Sequence, residues 1–307
     1  MKTILRISLV CIVLVALGLV LYYPVRRVAV RHQIETDVQN THFARMDDLG
    51  STRKLVILPL YENAASQADL TAGHGVAYLV STDDATILFD LGFDTDALQH
   101  NMQKLGLSLD DIDMIVISHD YPDHVGGQAW WPQGTFSLAD TQVDLHDLPI
   151  YVPQPMTYPG LAPVVADHPI KLATGVASMG TIPGEEVYKA SIGHFIRLEQ
   201  SLAVNVQGVG IVLISGCGHP GVKNMLGRAE MLFTTPVAGV VGGLHYQDLK
   251  RDALQGDIQM MKDRHLQLLA ISPHDSMPAT IQIFKDEFPN IYQDIAVGRA
   301  ITIGNHQ

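Results

Sequence analysis

The sequence predicts an α/β domain, with two sheets packed face to face and helices outside, preceded by an N-terminal transmembrane helix. Three observations carry this. From Leu55 onward short apolar runs alternate with helical periodicity, several of those runs finish in a histidine, and Ile7 to Val25 is a stretch of 19 uncharged residues. At 307 residues and 47% hydrophobic content the chain can bury one large core, which favours a single α/β domain over two.

Residues 1–33 read as an N-terminal signal anchor. The apolar run is flanked by Arg6 on one side and Arg26 and Arg27 on the other, and is long enough to cross a bilayer core as a helix. A cleaved signal peptide would have a shorter apolar region and small residues before the cut, whereas this run ends in Leu21-Tyr22-Tyr23-Pro24, with tyrosines suited to an interface. The expectation is a single-pass membrane protein, in contact with the lipid bilayer through residues 7–25. A short basic N-terminus stays inside, which puts the domain on the exported, periplasmic or extracellular, side. Residues 34–52 are polar and aperiodic and read as a linker, leaving 53–307 as the folded domain.

Charge and cysteine content narrow the function classes. Residues 1–33 carry +5, leaving −17 for the rest against −12 overall. An acidic domain argues against nucleic acid as a partner and leaves a small-molecule substrate as the expectation. Cys11 falls in the apolar run and Cys217 in a motif, which argues against an internal disulfide.

Within the domain, Leu55 to Leu60, Val76 to Val80 and Thr86 to Phe89 predict strands, with Asp90-Leu91-Gly92 closing the third. Leu98, Met102 and Leu105 predict a helix. Ile112 to Ile117 predicts the next strand, followed by Leu202 to Val206, Gly210 to Ile214, Val237 to Val241 and Leu268 to Ile271. Helices are expected after Gly221, near Leu249 and near Met277. The region from about 130 to 190 holds most of the prolines among aromatics such as Trp130, Trp131, Tyr151 and Tyr158. It reads as a Pro-rich insertion of long loops, either facing a substrate or merely structural.

The chemistry gathers at the strand ends. Ile112 to Ile117 runs into Ser118-His119-Asp120-Tyr121-Pro122-Asp123-His124-Val125-Gly126-Gly127. Imidazole and carboxylate are the ligands of divalent metals such as zinc, and a turn after a strand can surround one point with them. Three further strand ends finish alike: Gly216-Cys217-Gly218-His219-Pro220-Gly221, Gly242-Gly243-Leu244-His245 and Ser272-Pro273-His274-Asp275. Core packing gives a buried strand no reason to end this way repeatedly. His146, His168 and His194 lie in or just beyond the Pro-rich region and read as loop histidines.

The run after Ile117 resembles the HxHxDH signature of the metallo-β-lactamase superfamily, with Tyr121 in place of the second histidine. Together with Gly73-His74-Gly75, Ile87 to Gly92, Glu199-Gln200-Ser201-Leu202 and the distal motifs, the chain is similar over residues 54 to 304 to metallo-β-lactamase-fold hydrolases. It resembles most the branch described as dihydropteroate-synthase-like or 7,8-dihydropterin-6-methyl-4-(β-D-ribofuranosyl)aminobenzene-5'-phosphate synthase. The resemblance implies a four-layer αββα sandwich and a zinc-type centre of one or two ions. By position it implies that His119 binds one metal, that Asp123, His124 and His274 bind another, and that His219 is a further ligand. Cys217 is either a ligand or a small buried thiol. His245 either contacts substrate or is a hydrogen-bonded neighbour, and Glu199 falls where many members place a ligand histidine.

Tyr121 leaves three outcomes open: a phenolate ligand, a weakened first site, or a hydrogen-bond donor in a mononuclear enzyme. The preferred arrangement is a well-occupied site on Asp123, His124 and His274 beside a weaker one on His119 and His219. The implied activity is metal-assisted hydrolysis of an ester, amide or phosphoester, with Asp123 orienting water or accepting its proton and His245 or Tyr121 stabilising the oxyanion. Two other readings stand beside it: a pterin-pathway synthase like the namesake branch, and an impaired metal-binding or scaffold module.

Overall fold

The computed structural model describes residues 18, 22, 24–188, 193–247 and 251–304. Its strands form two sheets. The first contains Lys54–Tyr61 (β1), Ala77–Ser81 (β2), Thr86–Phe89 (β3), Met114–Val116 (β4), Ile150–Val152 (β5), Val164–Val165 (β6) and Ile301–Gly304 (β13), in the order β13-β1-β2-β3-β4-β5-β6. The second contains Ile170–Ala173 (β7), Val176–Tyr188 (β8), Gly193–Val206 (β9), Gly210–Ser215 (β10), Val237–Gly242 (β11) and Leu268–Ile271 (β12), in the order β12-β11-β10-β9-β8-β7.

Side-chain alternation decides which face of each strand meets which layer. Ile57, Tyr78, Val80, Ile87, Phe89 and Val116 of the first sheet pack against Leu202, Val204, Val212, Ile214, Val241 and Ala270 of the second, forming the inner core. On the outer face of the first sheet, Leu79, Leu88 and Ile115 bury Leu98 and Met102 of the helix Thr95–Lys104 (α2). Asp94 starts that helix, its carboxylate accepting the Ala97 N–H at 3.1 Å. On the outer face of the second sheet, Ala203, Ile211, Leu213 and Leu269 cover Val222–Leu232 (α3), Arg251–Asp263 (α4) and Pro278–Glu287 (α5) through Met225, Leu226, Ile258, Met261 and Phe284. The result is helix, sheet, sheet, helix, as the sequence implied.

Strand direction collects the functional residues. β3 runs parallel to β4, and β10, β11 and β12 run parallel to one another. Their carboxyl ends therefore fall along one rim, where α/β sheets place ligands. Residues 90, 118–124, 217–219, 243–245 and 274–275 follow those strand ends directly.

The N-terminal expectation requires correction. Among the described residues no helix is long and apolar enough to cross a membrane, which overturns the single-pass membrane placement. Of the span 7–25, only residues 18, 22, 24 and 25 are described; the remainder lies outside the described residues. Residues 24–40 are helical (α1); Val30 and Ile34, four apart on one face, are buried, and Val38, one turn further on, packs half-buried against the outer core of the second sheet. Arg27 and Arg31, on an adjacent face, both reach Glu185 of β8, at 3.1 and 2.7 Å. The segment expected as a linker thus begins inside a docked helix and continues through the buried Leu49.

The Pro-rich region also differs from expectation. It supplies β5 and β6 to the first sheet and β7 and β8 to the second. Pro183 pairs with Leu198 of β9 beyond the point where β7 ends its pairing, so it lies on an edge, where a missing N–H is tolerated. β8 and β9 form a long antiparallel hairpin over the carboxyl rim. At Gly184 the hairpin backbone lies so close to that of His219 that a methyl group there would collide with it.

Candidate metal centre

Two groups of ligand atoms abut at the carboxyl rim. His119, His124 and Cys217 form one, His74, Asp123 and His274 the other, and within each group the ligand atoms lie within 4.8 Å of one another. The His119 and His124 ring centroids are 4.1 Å apart and those of His124 and His274 5.6 Å, so the groups share a wall.

The first group is fully buried and built on Asp90. The Asp90 carboxylate accepts the Ser118 N–H at 2.6 Å, the Ser118 hydroxyl at 2.6 Å and His124 Nδ1 at 2.7 Å. Since the one hydroxyl hydrogen goes to Asp90, His119 Nδ1 donates to Ser118 Oγ at 2.9 Å. This network assigns Nδ1–H to both rings and turns both Nε2 atoms inward. His124 Nε2 lies 3.0 Å from Cys217 Sγ, and His119 Nε2 is buried with no hydrogen-bond partner. Gly216 brings the Cys217 loop against Ser118 and Asp90 where no side chain would fit.

Electrostatics point the same way. Burial drives the His119 imidazolium well below its ordinary range. Burial also opposes the His124 imidazolium, but Asp90 outweighs it and the group is pushed up to about 9. The Cys217 thiol is pushed well up by burial and by the charges of Asp275, Asp123, Glu199 and Asp90. The carboxylates of Asp90, Asp123, Glu199 and Asp275 act on this group, and a divalent cation would offset their charge. Two imidazoles and a thiol, with His119 Nε2 turned inward without a partner, are donors that suit a divalent transition-metal ion.

The second group sits at the rim. Asp123 Oδ2 is 3.0 Å from His274 Nε2 and 3.4 Å from His74 Nε2, and the His74 side chain is 66% exposed. Burial raises the Asp123 carboxyl, but hydrogen bonds from His274 and His74 overcome it and hold it well below the usual range. Burial lowers the His274 imidazolium to about 4 despite Asp123. Beneath it, Ser272 Oγ accepts the His274 N–H at 3.1 Å and donates to the buried Glu62, which also accepts the Tyr78 hydroxyl. Burial pushes the Glu62 carboxyl up to about 7.

The remaining sequence-derived candidates surround the first group. The His219 ring lies 4.8 Å from that of His119 and 4.6 Å from that of His245. The His245 N–H points to Asp275 at 3.3 Å. The Tyr121 ring is 5.2 Å from His119, and the Arg197 guanidinium lies 4.0 Å over its face while pairing with Asp120. The donors therefore group differently from the sequence expectation. Asp90 draws His124 towards His119 and Cys217, and His74 takes its place beside Asp123 and His274. Sequence reasoning gave His74 and Asp90 no role, although both stood in quoted motifs. Asp90, an acid ending a buried apolar strand, was the available signal.

Comparisons with known proteins agree with this architecture. The family described as Anti-Pycsar protein Apyc1 matches residues 64–152, less than half of the chain. The 7,8-dihydropterin-6-methyl-4-(beta-D-ribofuranosyl)-aminobenzene-5'-phosphate synthase of Methanocaldococcus jannaschii is 23% identical over 83% of this chain and 98% of its own. Among solved structures, Tm1679, described as a metal-dependent hydrolase of the beta-lactamase superfamily, is similar with a TM-score of 0.60 at 19% identity, over 82% of this chain and 100% of that one. The metallo-beta-lactamase fold protein YhfI from Bacillus subtilis has a TM-score of 0.50 at 14% identity, with the same coverage. Two sheets with helices outside, ligand-bearing strand ends along one rim and these structural neighbours together identify the chain as a protein of the metallo-β-lactamase fold.

Proposed function

We propose that the protein is a metal-dependent hydrolase of a small-molecule ester, amide or phosphoester, with zinc as the first candidate ion. The observation that carries this reading is the buried His119, His124 and Cys217 group, whose His119 Nε2 faces inward without a partner. His119, His124 and Cys217 would hold one ion, and His74, Asp123 and His274 a second at the rim. An ion so held supplies Lewis acidity and lowers the pKa of a water molecule it binds.

The chain's own groups then divide the remaining work. A carboxyl held well below its ordinary range is a weak base, so Asp123 suits the roles of ligand and water-orienting group better than that of proton acceptor. His245 and His219, whose rings lie 4.6 Å apart beside the first group, are placed to donate to an oxyanion. Tyr121, under the Arg197 guanidinium, serves as a wall and donor in place of a ligand.

The test is metal content together with hydrolysis. The expected result is one ion per chain retained through dialysis and a second that exchanges, with turnover of a p-nitrophenyl phosphodiester or ester that His119→Ala reduces on the order of a hundredfold or more. Protein that binds no divalent metal and turns over none of these probes would sink the reading. A second reading, synthesis of the dihydropterin phosphate product named for the Methanocaldococcus protein, is favoured by the alignment covering 98% of that protein. Formation of that product without probe hydrolysis would select it. Tyr121→His tests the impaired-module alternative: a gain in metal loading and turnover marks a weakened hydrolase, and no change in either marks a module.

A further inference from the structure

Glu199 lies on β9, fully buried and out of reach of solvent. Its carboxylate is clasped by three consecutive amides. Oε1 accepts the N–H of Cys217 at 3.1 Å and of Gly218 at 2.9 Å, and Oε2 accepts that of His219 at 2.8 Å. Successive N–H groups converging on one anion form a nest, and charge-assisted bonds of this kind are stronger and geometrically stricter than neutral ones. The loop so gripped carries Cys217 Sγ to 3.0 Å from His124 Nε2 and the His219 ring to 4.8 Å from that of His119.

We propose that Glu199 is a positioning residue for the sulfur-bearing metal site: it fixes the Cys217–His219 loop so that the Cys217 sulfur faces His119 and His124. The proposal rests on the metal-hydrolase reading above. It adds that the two ligand groups depend on different supports. The His74, Asp123 and His274 group shares no hydrogen bond with Glu199 among the described residues, so its ion survives loss of the Glu199 clasp.

Side-chain chemistry predicts an order of effects. Gln has the shape of Glu, but one of its two terminal atoms is an NH2 donor. In either amide orientation it faces an N–H with another N–H, at Cys217 and Gly218 or at His219. Asp keeps the charge and sets it one methylene further back, so it restores part of the clasp.

The experiment uses the full chain loaded with cobalt(II), whose bond to a thiolate gives a near-ultraviolet charge-transfer band. The wild type is expected to show this band. Glu199→Gln should lose most of it and bind cobalt at least tenfold more weakly at that site, while keeping the visible absorption of the second ion. Glu199→Asp should fall between the two. Alkylation of the Cys217 peptide in metal-free protein, followed by mass spectrometry, should be at least tenfold faster in Glu199→Gln than in wild type. If Glu199→Gln does not fold, Glu199→Asp decides, with an unchanged band and unchanged alkylation overturning the proposal. Wild-type-like band, affinity and alkylation in a folded Glu199→Gln also overturn it, as does cobalt bound by the wild type without a thiolate band. These results leave the hydrolase reading standing, whereas failure of the wild type to bind cobalt or turn over any probe removes that reading as well.

Discussion

The two ligand groups share one loop, residues 119–124, yet are built in opposite ways. His119, His124 and Cys217 are buried, and the two imidazoles are fixed at their outer nitrogens by Ser118 and Asp90. His74, Asp123 and His274 lie at the rim around a carboxylate, with one imidazole largely in solvent. The first is a preformed cage whose geometry is held from behind, the arrangement that raises ligand basicity and metal affinity. The second is an open position next to it. The difference teaches that ligand spacing in a strand-end loop does not decide which donors cooperate; the residue behind each imidazole does.

Asp90→Asn is expected to have the largest effect. It removes a buried charge that accepts from the Ser118 amide, the Ser118 hydroxyl and His124. A cost of about 3–5 kcal/mol is expected in denaturant unfolding, together with loss of the tightly held ion. Asn also tolerates the left-handed backbone at position 90, where φ is 63°. Retained tight binding with stability changed by less than about 1 kcal/mol would erase the contrast between the two groups.

In metal-free protein the groups should also separate by pH. His124, raised from 6.5 to about 9, contributes stability that is fully present below pH 6.5 and lost as pH rises through about 9. His274, lowered from 6.5 to about 4, penalises the fold as pH falls from 6.5 towards 4. Each limb is worth on the order of 3 kcal/mol. Thermal melts across pH should show both limbs, with His124→Gln flattening the alkaline one and His274→Gln the acidic one. A profile unchanged by either variant would refute the assignment. The smallest stability effect is expected for His74→Ala: within about 0.5 kcal/mol, because the side chain is exposed. Calorimetric titration should nonetheless show weakened binding of the second ion only.

Much of this architecture was legible in the sequence. β3 and β12 coincide with the apolar runs Thr86 to Phe89 and Leu268 to Ile271, because a strand buried on both faces leaves an unbroken apolar word. Of the β8–β9 hairpin only the end of β9, Leu202 to Val206, was legible, since Pro183 and the glycines around it read as loop until its edge position is known. α1 was hidden for a related reason. Its buried face is marked only by Val30, Ile34 and Val38 within a polar stretch, too sparse for a period to stand out. At the site, the histidines were visible as strand endings, whereas their partition was not. Asp90 and His124 are 34 residues apart, Cys217 and His124 are 93, and only the closed fold brings them together.

The contact between Gly184 and His219 bears on how ligands come and go. At position 184 the two backbones leave no room for a side chain between them. A molecule forced in from that side would act as a wedge, dislodging His219 before reaching the histidines beyond. The largely exposed His74 marks a side of the centre that is open to solvent, and a compound that pries at Gly184 would inhibit by dismantling the centre instead of filling it.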